Sequence, residues 1–408
     1  MNPELMERFL AKKAKKLGIT VEELKAQNAM SSHSEQSEES QAVKNQSNFS
    51  GSFANAQDDR NTPYQPLPTQ PEKVEVPLYV FGPAKMENPS TANAVPLPFS
   101  REANMQKNET LYQNRESQPM FAQSGEKYKF ALIGYPLGHS LSKIIHEAAF
   151  KSLGIEAAYE ILETPPDDLV DRIKFLKTNG YKGFNVTIPL KLPVSLFVNE
   201  VDKYADLARA VNTVYVEADK SLKAYNTDVI GFKRAIPTDI DLRGKKVAIL
   251  GTGGAAHAAC IALTECGVKE IAFFTRNIPN SIELMNYVRR KFPSIDFNVY
   301  QIQNIRSLEE YSMLVNTTPI GMLGKAGDMS PVEPYALQTL KAEAIVYDVI
   351  YNPKKTVLIK EAQKLGLRTI TGLDMLIYQA IAAQEIWFNR SIGIEVFKDM
   401  KIAALEAI

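Results

Sequence analysis

From Phe130 to Asp348, short apolar runs alternate with stretches of helical periodicity, and this alternation constrains the fold more than any other feature of the chain. Strands are expected at Phe130–Ile133, Ala157–Leu162, Gly183–Thr187, around Val214 and Ala224, and at Val247–Leu250, Ile271–Phe274, Phe297–Tyr300, Leu314–Val315 and Ile345–Asp348. Between them, Ser142–Leu153 reads as a helix stopped by Gly154. Pro166 sits at N1 of a helix stopped by Gly180, and shorter helices are expected near Asp202–Arg209 and Ile282–Arg290. The C-terminal end reads as helical over Leu373–Phe388 and Ile394–Leu405, placed to pack back on the first strand series. Near-continuous apolar strands alternating with helices predict an α/β chain with parallel sheets covered on both faces.

The chain has 408 residues, 45% of them hydrophobic, which is enough for two or three domains with separate cores. Its formal net charge of zero gives no long-range attraction to nucleic acid or to an anionic membrane. No run approaches the roughly 18 apolar residues a membrane span needs, and the charged N-terminus MNPELMERFLAKKAKKLG lacks the apolar core of a secretory signal. Cys260 and Cys266 lie in one expected helix on different faces, so neither a disulfide nor a metal site is expected, and a reducing cytoplasm is.

The first 126 residues differ in kind. Residues 1–27 read as a short helical segment: Asn2-Pro3 starts an apolar stripe of Leu5, Met6, Phe9 and Leu10, and Thr20 with Glu23 forms a capping box for a second helix through Leu24. From Ser31 to Thr62 there is no Leu, Ile or Met, and nine prolines follow between Pro63 and Pro98. Such a composition cannot bury enough surface to offset ordering entropy, so residues 28–126 are expected to be a largely disordered linker.

Two further features carry chemistry. In VAILGTGGAA (Val247 to Ala256) a strand runs into Gly251-x-Gly253-Gly254 and then a helix. Gly251 permits the tight turn and Gly253 lets a pyrophosphate approach the backbone. Ala256 is small enough for helix–strand packing, and the phosphate would sit on the helix N-terminus. The end of the next strand reads Phe274, Thr275, Arg276, Asn277, without the acid that holds a ribose hydroxyl in NAD sites; an Arg there suits the 2′-phosphate of NADP. The second feature is GFNVTIPLK (Gly183 to Lys191), where Asn185, Thr187 and Lys191 are set among apolar residues, followed later by Asn226, Thr227 and Asp228. A strand ending there delivers Lys191 to the carboxyl edge of a sheet, where ligands bind in open α/β folds. Ser140 and Ser142 alternate at the first strand–helix turn, with Ser142 also a candidate N-cap. Of the histidines, His33 falls in the linker, and His139 and His146 read as packing or rim residues rather than acid–base groups.

Eight segments occur in the order found in the shikimate dehydrogenase family, which residues 128–405 resemble: GYPLGHSLSKIIH (Gly134 to His146), GFNVTIPLK, AVNT (Ala210 to Thr213), NTD (Asn226 to Asp228), GTGGAA, VNTTPIGM (Val315 to Met322), YDVIYNP (Tyr347 to Pro353) and GLDMLIYQA (Gly372 to Ala380). The resemblance implies two α/β domains, a substrate domain over 127–229 plus 372–408 and a Rossmann-type NADP domain over 230–371, closing around NADP(H) and 3-dehydroshikimate or shikimate. It implies that Lys191 and Asp228 form the catalytic pair, and that Ser140 and Ser142 bind the substrate carboxylate. Asn185, Thr187, Asn212 and Gln379 would contact carboxylate or ring hydroxyls, with Tyr351 at the rim. Gly251, Gly253, Gly254, Ala255, Ala256, Thr275, Arg276, Asn277, Thr317, Met322, Val349 and Gly372 would hold the cofactor. Monomer and homodimer both remain open.

The chain departs from the family pattern at Lys143 (usually Pro), Glu147 (Asn), Arg209 and Ala224 (Gly), His257 (Arg) and Asn280 (often basic). The last two thin the positive charge expected near the cofactor. Competing expectations are a quinate or quinate/shikimate dehydrogenase with NAD use, a non-catalytic cofactor-binding paralogue, and an N-terminal segment that recruits a partner enzyme.

Overall fold

The computed structural model describes residues 127–138, 140–324 and 326–408, together with residue 11 and residues 20–23. Thr20 and Glu23 form the expected capping box: the Glu23 N–H donates to Thr20 Oγ1 at 3.1 Å and the Thr20 N–H to Glu23 Oε2 at 2.7 Å. The other expectations for residues 1–126, and the reading of His139, lie outside the described residues.

Residues 127–408 build two six-stranded sheets. The first contains β1 (Tyr128–Gly134), β2 (Ala157–Glu163), β3 (Tyr181–Val186), β4 (Glu200–Val201), β5 (Thr213–Val216) and β6 (Leu222–Tyr225), in the order β2-β1-β3-β5-β6-β4. Helices α1 (Ser142–Leu153), α2 (Leu169–Thr178) and α3 (Lys203–Ala208) connect them, and α4 (Thr227–Ala235) leads away. This sheet is mixed, not wholly parallel: β5 runs antiparallel to both β3 and β6. For β5 and β6 the cause is the short link from Val216 to Leu222, which closes a hairpin through the Glu217 N–H to Ser221 carbonyl bond and is too short for a parallel crossover.

The second sheet contains β7 (Lys246–Leu250), β8 (Glu270–Thr275), β9 (Asp296–Gln301), β10 (Met313–Asn316), β11 (Ile345–Asp348) and β12 (Arg368–Thr371). All are parallel, in the order β12-β11-β10-β7-β8-β9. Helices α5 (Gly254–Glu265), α6 (Ile278–Lys291), α7 (Pro334–Leu337) and α8 (Val357–Lys364) accompany it. The order reverses between β7 and β10, which is the topological switch point where this architecture binds ligands. Strands β4 and β12 and helices α4, α7 and α8 were not expected. Each is short, and α8 is announced only by Thr356, whose Oγ1 accepts from the Ile359 N–H.

Helices α9 (Gly372–Phe388) and α10 (Ile394–Glu406) return to the first sheet. Trp387 and Phe388 of α9 pack on Phe130 of β1 and Phe150 of α1, with the Trp387 ring stacked 4.4 Å from Phe130. Among the described residues no helix is long and apolar enough to cross a membrane.

Several of the unusual residues have local explanations. Arg209 ends α3 at φ 49°, a left-handed conformation that favours glycine, which accounts for the expected Gly there. Its guanidinium lies 5.6 Å from the ring centroid of Tyr287 on α6. Lys143 and Glu147 pair with each other one turn apart on the exposed side of α1. Ala224 is buried in β6.

Candidate active site

Two loops deliver the ionisable pair. After β3 the chain makes a tight turn, closed by the Leu190 N–H to the Thr187 carbonyl at 2.9 Å, and the fully buried Leu190 anchors it. Lys191 follows, its carbonyl accepting from the Val211 N–H at 2.8 Å. Asp228 lies in the first turn of α4, whose N-cap Asn226 accepts from the Val229 N–H and donates from Nδ2 to the Ala210 carbonyl. Lys191 Nζ meets Asp228 Oδ2 at 2.5 Å, with the side chains 23% and 15% exposed. The pair is thus largely buried yet still reachable from solvent.

Around it opens a cavity of about 320 Å³ between the carboxyl ends of β1 and β3 and the N-terminal turns of α9. Every residue expected to contact substrate lines it: Ser140, Ser142, Asn185, Thr187, Asn212, Tyr351 and Gln379, with Lys191 and Asp228. Ala255, Val349 and Gly372 line it too. Sequence reading missed its apolar wall of Leu132, Pro136, Leu137, Val186, Met375 and Leu376, because such residues carry no signal distinguishing a pocket wall from ordinary core. Ser142 is not the N-cap of α1. Leu141 holds that position, and the Ser142 N–H donates to Ser140 Oγ at 3.2 Å while the Ser140 hydroxyl donates to Ser142 Oγ at 3.1 Å. Both hydroxyls therefore sit together at the cavity edge.

The floor is a buried hydrogen-bond network. Asn185 Oδ1 accepts from the Tyr159 hydroxyl at 2.7 Å, and its Nδ2 donates to the Asn212 carbonyl and Thr213 Oγ1. Asn212 Oδ1 accepts from the Thr227 N–H at 2.7 Å, and Asn212 Nδ2 donates to Thr227 Oγ1 at 3.0 Å. The two asparagines thus brace the strands and helix that present Lys191 and Asp228, in addition to facing the cavity. Burial behind this floor holds His146 neutral, its pKa lowered to about 3, which matches the packing role read from sequence.

A second cavity, of about 460 Å³, lies at the switch point of the other sheet and is lined by Gly251, Gly253, Thr275, Arg276, Asn277 and Thr317. Thr317 donates its hydroxyl to the Leu250 carbonyl at 2.6 Å, fixing the end of β10 beside the glycine turn. Gly251 takes φ 95°, where a Cβ would press on Thr317 Oγ1 at 3.0 Å, so the protein's own geometry demands glycine there. Gly253 is different: it has ordinary backbone angles, and a Cβ would meet nothing within 4 Å. The open space over it, at the uncapped N-terminus of α5, is a cradle of the kind a dinucleotide phosphate fills. The exposed Arg276 and the lack of an acid at the end of β8 fit a 2′-phosphate. Gly254, Ala256 and Met322 line neither cavity; Ala256 is fully buried where α5 meets its sheet. Thr318, Ile302, Gln303 and Tyr335, which sequence reading passed over, also line the second cavity. His257 turns away from it: its Nδ1 lies 3.0 Å from the Ala208 carbonyl at the end of α3. Among the described residues no cluster of metal-ligating side chains occurs.

A family model described as the shikimate dehydrogenase substrate binding domain matches residues 132–214, a stretch running from within β1 to within β5. A shikimate dehydrogenase (NADP(+)) of Caldanaerobacter subterraneus subsp. tengcongensis is 38% identical over 259 residues, covering 63% of this chain and 90% of that protein. The chain belongs to the shikimate dehydrogenase family. The family member of Methanocaldococcus jannaschii is likewise 38% identical, over 66% of this chain and 94% of its own length. Among solved structures, the shikimate 5-dehydrogenase of Thermus thermophilus in complex with NADP(H) and shikimate superposes with a TM-score of 0.60 at 30% identity, over 69% of this chain and 100% of that one. The ligand-free 5-ketofructose reductase of Gluconobacter sp. strain CHM43 superposes equally well, with a TM-score of 0.64 at 28% identity over 70% of this chain and 100% of that one. The fold is therefore shared across substrates, and the site residues must carry the assignment.

Proposed function

We propose that the chain is an NADP-dependent oxidoreductase that interconverts 3-dehydroshikimate and shikimate, with Lys191 and Asp228 as its catalytic pair. The observation that carries this reading is the 2.5 Å contact of Lys191 with Asp228 in a cavity edged by Ser140 and Ser142. Hydroxyl donors on one side suit a carboxylate, and a cation on the other suits an oxygen that gains negative charge. When bound, NADPH supplies the hydride to the carbonyl carbon. Lys191 then donates a proton from Nζ to the carbonyl oxygen, and in the reverse direction takes it back. Asp228 holds the ammonium in place beside the carbonyl oxygen. Gly251, Gly253 and the N-terminus of α5 would hold the pyrophosphate, and Thr275, Arg276 and Asn277 the 2′-phosphate. Val349, Gly372 and Ala255, which line the substrate cavity, would border the nicotinamide.

The division into a substrate domain over 127–229 with 372–408 and a cofactor domain over 230–371 belongs to the same proposal. It is supported by the two sheets and by the return of α9 and α10 to the first. We also infer a cytoplasmic monomer or homodimer with no nucleic-acid or membrane partner; the neutral net charge and the free thiols of Cys260 and Cys266 support this. The reaction is tested by mixing the purified chain with shikimate or quinate and either NADP⁺ or NAD⁺. Turnover confined to shikimate with NADP⁺ is expected. Equal or faster turnover of quinate with NAD⁺ would replace this reading.

A further inference from the structure

Behind the cavity, outside its lining, Tyr159 is 1% exposed and yet directs its hydroxyl at a lining residue, Asn185. The orientation of that amide is not free. Asn185 Nδ2 lies 3.2 Å from the Asn212 carbonyl, a group that can only accept, and 2.9 Å from Thr213 Oγ1. Turning the amide over would set two carbonyl oxygens against each other in a buried place. Both Nδ2 hydrogens are thus committed inside the protein, and Oδ1 faces Tyr159. Held this way, Asn185 can accept from a substrate hydroxyl and cannot donate to a substrate carboxylate.

Tyr159 is itself held. The His146 ring stacks on it with centroids 4.3 Å apart and planes 6° from parallel, and Gln384 Nε2 lies 3.0 Å from His146 Nδ1. All three are buried, on β2, α1 and α9 respectively, so a chain of contacts through His146 ties the phenol of β2 to α9.

We propose that Tyr159, braced by His146 and Gln384, is a positioning residue for the substrate pocket: its hydroxyl fixes Asn185 as an acceptor-only contact and so sets which substrate group that wall can bind. This rests on the shikimate reading of the same cavity. Tyr159 touches neither ligand; its effect passes through Asn185.

The test is a double-mutant cycle of Tyr159→Phe and Asn185→Ala, with Asn185→Ser as a second background should the alanine variant not fold. Losing one buried hydrogen bond corresponds to about a three- to tenfold change in an equilibrium constant. Tyr159→Phe alone should raise KM for shikimate by about that factor, leaving KM for NADP⁺ within about twofold. In either Asn185 background the same change should add less than about twofold, because the residue it acts through is gone. Additive effects, or a parallel rise in KM for NADP⁺, would mean general loosening and overturn the proposal; so would an unchanged KM for shikimate. A wild-type chain with no shikimate turnover would overturn the functional reading itself, which separates the two failures.

Discussion

Lys191 and Asp228 are 37 residues apart in the chain and 2.5 Å apart in space, one after a strand and the other in the first turn of a helix. Both backbones are pinned independently of the pair, Lys191 through Val211 and Asp228 through the capping of α4 by Asn226. Removing one charge should therefore change chemistry more than architecture. Asp228→Asn is expected to lower kcat by about 10²-fold, within the range for a positioned acid–base group, while the far-ultraviolet circular dichroism stays as in the wild type. A variant within threefold of wild-type kcat would remove Asp228 from the catalytic pair.

In the proposed function, Arg276 is the residue that selects the cofactor. A guanidinium paired bidentately with a phosphate contributes about 1.5–3 kcal/mol, so Arg276→Ala should raise KM for NADP⁺ by roughly 10- to 100-fold and leave KM for NAD⁺ nearly unchanged. Steady-state kinetics with both cofactors reads this directly. Equal losses for the two would place Arg276 outside the 2′-phosphate site.

Gly253 offers a different probe. Since a Cβ there meets nothing within 4 Å in the protein, Gly253→Val should fold with little loss of stability and yet block the approach of a pyrophosphate. Thermal unfolding with and without NADP⁺ should show a stabilising shift for the wild type and almost none for the variant. A full shift in the variant would contradict the cradle.

His146 predicts a pH effect on stability. Its folded pKa is lowered to about 3 by burial, from an ordinary value near 6.5. Above pH 6.5 both states are neutral and nothing is lost. As pH falls below 6.5 the unfolded chain takes up a proton that the folded chain refuses, so stability drops progressively towards pH 3. Between pH 7 and pH 5 this loss is about 2 kcal/mol. His146→Leu lacks it, so the stability gap between wild type and variant should shift by that amount in the variant's favour at pH 5. Asp202 and Asp348, raised to about 6 by burial, titrate with the opposite sign but equally in both proteins, so they cancel in the difference. Urea unfolding at the two pH values measures it, and a pH-independent gap would refute the assignment.

Much of this arrangement was legible in the residues. The glycine turn between Leu250 and Ala255 was readable because apolar strand, punctuating glycines and helix follow directly, and it lies at the switch point as expected. The cavity-facing polar residues were readable because Asn185, Thr187 and Lys191 interrupt apolar sequence at a strand end. The antiparallel hairpin of β5 and β6 was not: both strands are four residues long and largely buried, so neither periodicity nor length signals direction. Nor could sequence show that Asn185 and Asn212 spend most of their hydrogen bonds on Tyr159, Thr213 and Thr227, since those partnerships depend on the register of β3, β5 and α4. His257 is a similar case. Read alone it is a lost cation near the cofactor; in the fold it reaches the Ala208 carbonyl at the end of α3, next to the strained Arg209.

The most direct test of the whole account compares wild type and Lys191→Ala in NADP⁺ reduction driven by shikimate, with NADP⁺ binding measured on both. Robust wild-type turnover is expected, with a loss of about two orders of magnitude or more in the variant and NADP⁺ affinity retained. Wild-type-like turnover by Lys191→Ala, or a folded wild type that binds NADP⁺ and leaves shikimate unchanged, would contradict it.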